Sequence, residues 1–163
     1  MNLLLVADCK YVLYIRFMIA IQRLTKMDSR TLAELNGLIK QLSRSAHSAR
    51  PLTKSALQRI LKDKNVFLFV CKDGKKIIGM GTLAIWHATV VGIRSRVEDV
   101  VVDESYRGRK LGERITKKLI QTARTLGAGD IELSSRPSRT AANALWLKLG
   151  FKLKETNTYA FRP

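Results

Sequence analysis

Cysteine and histidine are scarce in this chain, with two of each among 163 residues. Cys9 and Cys71 show neither a Cys-x-x-Cys pair nor a Cys/His ligand spacing. That argues against a disulfide framework and against a zinc site, and makes a reducing cytoplasm the expected compartment. His47 and His87 are isolated and read as surface or packing residues. Long apolar runs are missing as well. The most apolar stretch, residues 1–17, is broken by Asp8, Lys10 and Arg16. It is too short and too charged for a membrane span, which needs about 20 mostly apolar residues. It also lacks the basic start and unbroken apolar centre of a signal peptide. These 17 residues are expected to be an extension ahead of one domain at residues 18–163, with a peripheral membrane anchor as the alternative. No internal repeat or low-complexity tract interrupts that domain.

Acidic residues are the third scarcity. Lys and Arg number 30 against 13 Asp and Glu, a formal net charge of +17. Such a balance favours anionic partners: nucleotides, nucleic acid, phosphorylated substrates or acidic membranes. The bases are dispersed along the chain rather than gathered in one tail. No aromatic-basic RNA motif or helix-turn-helix signature accompanies them, which weighs against a dedicated nucleic-acid protein. A solvated basic surface is the plain alternative. The hydrophobic share of 46% and the length suit one globular domain with a proper core.

The coarse pattern alternates strands and helices. Residues 28–45 read as a helix, because Leu32, Leu35, Ile39 and Leu42 fall on one face. Thr31 and Glu34 have capping-box spacing, with Asp28 as the other candidate cap. Pro51 breaks the pattern, and Thr53 caps a second helix carrying Leu57, Ile60 and Leu61. Residues 66–71 and 77–86 read as strands joined at an Asp73-Gly74 turn. Gly79 and Gly81 inside the second of these strands predict a bend or a close backbone approach.

The informative stretch is residues 94–112, RSRVEDVVVDESYRGRKLG. Residues 96–102 are rich in β-branched side chains and read as a strand. Asp103, Glu104, Ser105 and Tyr106 form a polar turn. Arg107, Gly108, Arg109, Lys110, Leu111 and Gly112 then lead into a helix with Ile115, Leu119 and Ala123 on one face. Strand, basic glycine-containing loop and helix in that order aim several backbone N–H groups and a helix dipole at one spot. That arrangement suits a phosphate. Gly127 and Gly129 close the helix, and residues 131–135 give a strand joined to the earlier one by a right-handed parallel crossover. The polar, basic loop at residues 134–139 sits at that strand's C-terminal edge, a usual place for ligands.

VEDVVVDESYRGRKLGERI resembles the acyl-CoA-binding signature of the GNAT superfamily of N-acetyltransferases, Arg/Gln-x-x-Gly-x-Gly/Ala after a strand. Arg107 holds its first position and Gly112 its last, while Lys110 stands at the middle glycine. Farther on, AANALWLKLGF at residues 141–151 is similar to the family's late segment, in which an Asn precedes an aromatic and then Lys-Leu-Gly-Phe. The resemblance runs from about residue 18 to the C-terminus. It implies an α/β (α+β) fold: a mixed, mostly antiparallel sheet of six to seven strands, flanked by helices, with a splayed central parallel pair. Residues 151–155 and 159–162 would form its closing hairpin.

The implied activity is acetyl transfer from acetyl-CoA, the co-substrate, to an amine, without a metal. Backbone groups of Val100, Val101 and Val102 would pair with pantetheine. Arg107, Gly108, Arg109, Lys110, Leu111 and Gly112 would hold the phosphates, and Asn143 would contact CoA. Trp146 stands where relatives often carry a tyrosine that protonates the CoA sulfur. An indole N–H donates a hydrogen bond but gives up no proton, so Tyr159, Tyr106 or a water is the substitute acid. Glu98, on the same strand face as Val100 and Val102 in a regular strand, is the candidate base; a salt bridge to Arg94 or Arg96 is its other reading. The stretch from Val97 to Gly108 also resembles glucosamine-phosphate acetyltransferases. The acceptor stays open among a small-molecule amine, a sugar phosphate and a protein or peptide, and the protein is expected to be a monomer or homodimer. A non-catalytic acyl-CoA-binding module and a basic nucleic-acid-associated protein remain the competing classes.

Overall fold

The structure, a computed structural model, describes residues 19–42 and 50–161. The expected extension at residues 1–17 lies outside them. Two compact units divide the chain, Met1–Leu133 and Ser134–Pro163. The first unit is built on a five-stranded sheet in the order β1 (Ile19–Arg23), β2 (Val66–Asp73), β3 (Lys76–Ala88), β4 (Gly92–Val102) and β5 (Asp130–Glu132). Pairing is antiparallel from β1 to β4 and parallel between β4 and β5. Helices α1 (Thr31–Leu42) and α2 (Lys54–Lys62) lie between β1 and β2 in the chain, and α3 (Leu111–Thr125) between β4 and β5. The second unit carries α4 (Thr140–Lys148).

Two apolar layers sandwich the sheet. On one face, Leu35 and Leu38 of α1 and Leu57 of α2 pack with Leu68, Val70, Ile77, Met80 and Val101. On the other, Leu111, Ile115, Leu119 and Ala123 of α3 pack with Phe69, Cys71, Ile78, Leu83 and Val97. Successive residues of β2 therefore serve opposite layers, which is why residues 66–71 read as an unbroken apolar run. Helix α1 is capped by Asp28, whose Oδ1 accepts from the Thr31 N–H at 2.8 Å, while the Asp28 N–H donates to Thr31 Oγ1 at 3.0 Å. Glu34, expected to join a capping box with Thr31, instead accepts from the Ile77 N–H at 3.2 Å. The last expected residues of α1, 43–45, lie outside the described residues. Thr53 caps α2 as expected, accepting from the Ala56 N–H at 3.2 Å.

The expected mixed, mostly antiparallel sheet is present, with five strands among the described residues rather than six or seven. Residues 151–161 form no strand. Past Phe151 its apolar side chains are bare: Leu153, Tyr159 and Phe161 are 97%, 88% and 91% exposed. Strand β5 is also shorter than the expected residues 131–135. It pairs with β4 only through Arg94–Asp130, Ser95–Ile131 and Arg96–Glu132. Beyond Arg96, β4 runs on for six residues with no β5 partner. The parallel pair that the resemblance implied is present, and its pairing ends at Arg96 and Glu132.

Candidate active site

Strand β4 carries an irregularity just past its last pair with β5. Thr82 of β3 faces Glu98 and Met80 faces Val101, so one β3 residue, Gly81, spans Asp99 and Val100 of β4. The extra residue is a β-bulge, and Asp99 takes a left-handed φ of 53° to make it. A one-residue slip exchanges the two faces of a strand. Val97 packs on the α3 layer before the bulge; after it, Val100 and Val102 pack on that layer, and Val101 joins the α1–α2 layer. Glu98 therefore does not share a face with Val100 and Val102. The expectation that it does assumed unbroken period-two alternation, and the bulge overturns it. Glu98 lies on the α1–α2 side and is ion-paired with Arg96 Nε. Arg94 pairs across to Glu132 of β5.

The loop after β4 is anchored from three directions. The Asp103 N–H donates to the Ile78 carbonyl at 2.8 Å. Asp103 Oδ1 accepts from the Ser105 N–H at 3.0 Å, tying a short 3-10 turn at Glu104–Tyr106. From α1, Gln41 donates to Asp103 Oδ2 at 3.2 Å and accepts from the Glu104 N–H at 2.9 Å. These donors, the Ser105 side chain first, hold the Asp103 carboxyl below the usual range. The Tyr106 hydroxyl donates to Asp73 Oδ2 at 3.0 Å, which pushes the tyrosine up from its ordinary value. Gln41 and Asp73 are 60 or more and 30 or more residues from their partners. No local pattern marks either as part of this loop.

Residues 107–112 then turn into α3. Gly108 has φ 79°, and a side chain there would meet no atom within 4 Å. Lys110, at the start of α3, has φ 57° and caps nothing with its side chain. Among the described residues, the N–H groups of Gly108, Arg109, Lys110, Leu111 and Gly112 meet no acceptor. Leu111 is buried in the α3 layer and fixes the loop to the core. Arg107, Arg109 and Lys110 are exposed around these free donors. The arrangement is an open, rigidly mounted cradle for an anion at a helix N-terminus.

Residues 32–151 match the Acetyltransferase (GNAT) family. This chain belongs to it. Among curated relatives, glucosamine 6-phosphate N-acetyltransferase 1 of Oryza sativa subsp. japonica is 32% identical over 128 residues, 71% of each chain. Among solved structures, an aminoglycoside acetyltransferase from an uncultured soil metagenomic sample, in complex with trehalose, superposes with a TM-score of 0.77. It is 17% identical, and the match covers 91% of this chain and 98% of that one. An aminoglycoside N-acetyltransferase in complex with CoA gives a TM-score of 0.69 at 20% identity, covering 88% and 94%. As a GNAT enzyme, the protein is an acyl-CoA-dependent N-acetyltransferase, and acetyl-CoA is its co-substrate.

The residues of the GNAT signature fit that co-substrate. The first unit holds the N–H groups of residues 108–112, their three exposed bases, and the run of β4, including Val100, Val101 and Val102, that pairs with β3 but not with β5. Asn143 and Trp146 belong to the second unit. Asn143 donates its side-chain N–H groups to the Arg136 and Pro137 carbonyls at 3.0 and 3.3 Å, holding its own loop rather than standing free. Trp146 meets Phe151 edge to face at 6.3 Å. Their contact seals the end of α4: the Phe151 N–H bonds the Trp146 carbonyl at 3.0 Å around Gly150, whose φ is 90°. Trp146 Nε1 is nevertheless buried without a hydrogen-bond partner, as is Ser135 Oγ, so each retains an unused polar function. Burial pushes the Cys71 thiol up and suits it to packing. Among the described residues no three His, Cys, Asp or Glu side chains gather as metal ligands, and no helix is long and apolar enough to cross a membrane.

Proposed function

We propose that this acetyltransferase modifies the amine of an amino sugar, with a phosphorylated hexosamine as its acceptor. The observation that carries this reading is the 32% identity, across 71% of both chains, to a glucosamine 6-phosphate N-acetyltransferase. A net charge of +17 agrees with it, since a sugar phosphate is drawn to a basic protein. Acetyl-CoA supplies the activated acetyl group when bound.

The chain's own groups divide the remaining work. Residues 107–112 take the phosphates through backbone N–H groups and the charges of Arg107, Arg109 and Lys110. Val100, Val101 and Val102 offer main-chain groups along the β4 edge as a ladder for the pantetheine amides. A main-chain N–H near the bulge polarises the reacting carbonyl. Glu98 takes the proton of the incoming ammonium through a water, its ion pair with Arg96 fixing the carboxylate in place. The proton that the departing thiolate needs is the one the amine nitrogen sheds as the amide forms.

The test is an acceptor panel with thiol release from acetyl-CoA as the readout: glucosamine 6-phosphate, glucosamine, an aminoglycoside and a lysine peptide. The phosphorylated sugar should give the highest kcat/KM, above unphosphorylated glucosamine by at least tenfold. Equal rates on the two sugars, or turnover of the peptide alone, would remove the sugar-phosphate assignment and leave the acetyl-CoA chemistry standing.

A further inference from the structure

The Tyr106 ring gathers charged groups from two separate turns. Its hydroxyl donates to Asp73 Oδ2 at 3.0 Å. The Arg109 guanidinium lies 4.9 Å from the ring centroid, and the Lys76 ammonium 5.6 Å from it. Asp73 and Lys76 face each other across the tight β2–β3 turn. Tyr106 and Arg109 stand either side of the start of the phosphate cradle. Two cations beside one ring repel each other. The ring's negative face attracts each of them, and the Asp73 carboxylate offsets the excess charge. The tyrosine is thus a peg that fastens an otherwise exposed arginine to the sheet. An exposed arginine must be ordered when it grips a phosphate, whereas one stacked on a ring is already ordered.

We infer that Tyr106 is a positioning residue of the acyl-CoA site: tethered to the β2–β3 turn through Asp73, its ring presents the Arg109 guanidinium, with Lys76 beside it, to a phosphate of the bound acyl-CoA. The inference rests on the assignment of residues 107–112 as the phosphate cradle. It makes the β2–β3 turn, distant in sequence and outside the family signature, part of the co-substrate site. It also gives Tyr106 a role other than proton donation, because its hydroxyl is already committed to Asp73.

Calorimetric titration of acetyl-CoA into the intact protein tests it, with Arg109→Ala, Tyr106→Leu, their double variant and Tyr106→Phe. Tyr106→Leu should weaken binding about fivefold, the scale of one surface cation–π contact. Tyr106→Phe, which keeps the ring and loses only the Asp73 tether, should fall between Tyr106→Leu and the parent. The double variant should bind no more weakly than Arg109→Ala alone, because the ring acts through the guanidinium. The KM for the acceptor should not move. Additive losses in the double variant, or unchanged affinity in both Tyr106 variants, would overturn the inference. If Tyr106→Leu does not fold, Tyr106→Phe decides the matter alone. Arg107→Ala separates the two levels. If it weakens acetyl-CoA binding while the Tyr106 variants do not, the cradle stands and the positioning role falls. If it and Arg109→Ala both leave binding intact, the cradle itself is misassigned.

Discussion

A methyl group at Gly81 should push helix α3 off the sheet. Gly81 lies opposite the β4 bulge, and an added Cβ would come 2.8 Å from Ile115 Cγ2, 3.0 Å from Leu119 Cδ1 and 3.3 Å from Val100 Cγ2. Carbon atoms in good contact sit about 3.5–4.0 Å apart, so the helix must retreat by about 1 Å or its side chains must leave their rotamers. Ile115 and Leu119 are fully buried, which leaves them nowhere to turn. Overpacking of this kind costs about 1–3 kcal/mol. The alanine recovers about 0.4–1 kcal/mol by restricting the unfolded chain. A net loss of about 1–2 kcal/mol lowers the melting temperature by about 2–8 °C at this chain length. Gly37 of α1 is the control, since a Cβ there meets nothing within 4 Å. Gly37→Ala should stabilise the protein by about 1 kcal/mol. Leu111 begins α3 and anchors the phosphate cradle, so Gly81→Ala should also weaken acetyl-CoA binding while Gly37→Ala does not. Thermal melts and acetyl-CoA titrations on the two variants read both effects. A Gly81→Ala protein as stable as its parent, with unchanged affinity, would refute the claim that this glycine sets the distance between helix and sheet.

Lys110 holds a left-handed backbone that costs a residue with a side chain about 1 kcal/mol, so Lys110→Gly should exceed Lys110→Ala in stability by about that amount on denaturant titration. Equal stabilities would mean that its φ carries no strain. Thr31, through its side chain first, holds the Asp28 carboxyl below its ordinary 3.8, as Ser105 does for Asp103. Groups with depressed values stabilise the fold above their unfolded pKa and lose that contribution as pH falls through the folded one. The melting temperature should therefore drop below about pH 4, and less steeply in Asp28→Asn and Asp103→Asn, as pH-dependent melts would record. Glu98→Gln should lower kcat by 10-fold or more and flatten the rise of rate with pH, with KM for acetyl-CoA unchanged; a full-rate variant would leave Glu98 a mere partner of Arg96. Trp146→Tyr should raise kcat by restoring a side-chain proton donor, and an unchanged or lower rate under single-turnover conditions would show that no such donor is wanting.

How much of this was legible in the sequence depends on the range over which each feature is determined. The α1 and α2 faces, the Thr53 cap and the strand–loop–helix order around residues 96–125 follow from local spacing, and the structure has them. Gly79 and Gly81 were legible as a bend or a close approach, and both lie in close contact with α3 and β4. The bulge was not. Three consecutive valines carry no phase, so nothing in residues 97–102 reveals that the alternation slips at Asp99. That slip moved Glu98 to the other face from the one its spacing implied. The tethers from Gln41 and Asp73 were equally hidden, since each joins a polar side chain to a loop far along the chain. The closing hairpin was overread: residues 151–161 have apolar side chains at strand-like intervals, but a strand exists only where a neighbour supplies the ladder.

Strands β1 to β4 are laid down almost in the order in which the chain meets them, and β2, β3 and β4 are joined by tight turns. Strand β5 is different, because it arrives only after a fifteen-residue helix and is held by three register pairs. Closing a short hairpin costs the chain little entropy, whereas docking β5 requires the whole crossover to be in place first. The three β4–β5 pairs are therefore expected to form after the antiparallel ladders and to open before them, which hydrogen exchange at Ile131 and Glu132 against β2 and β3 would record.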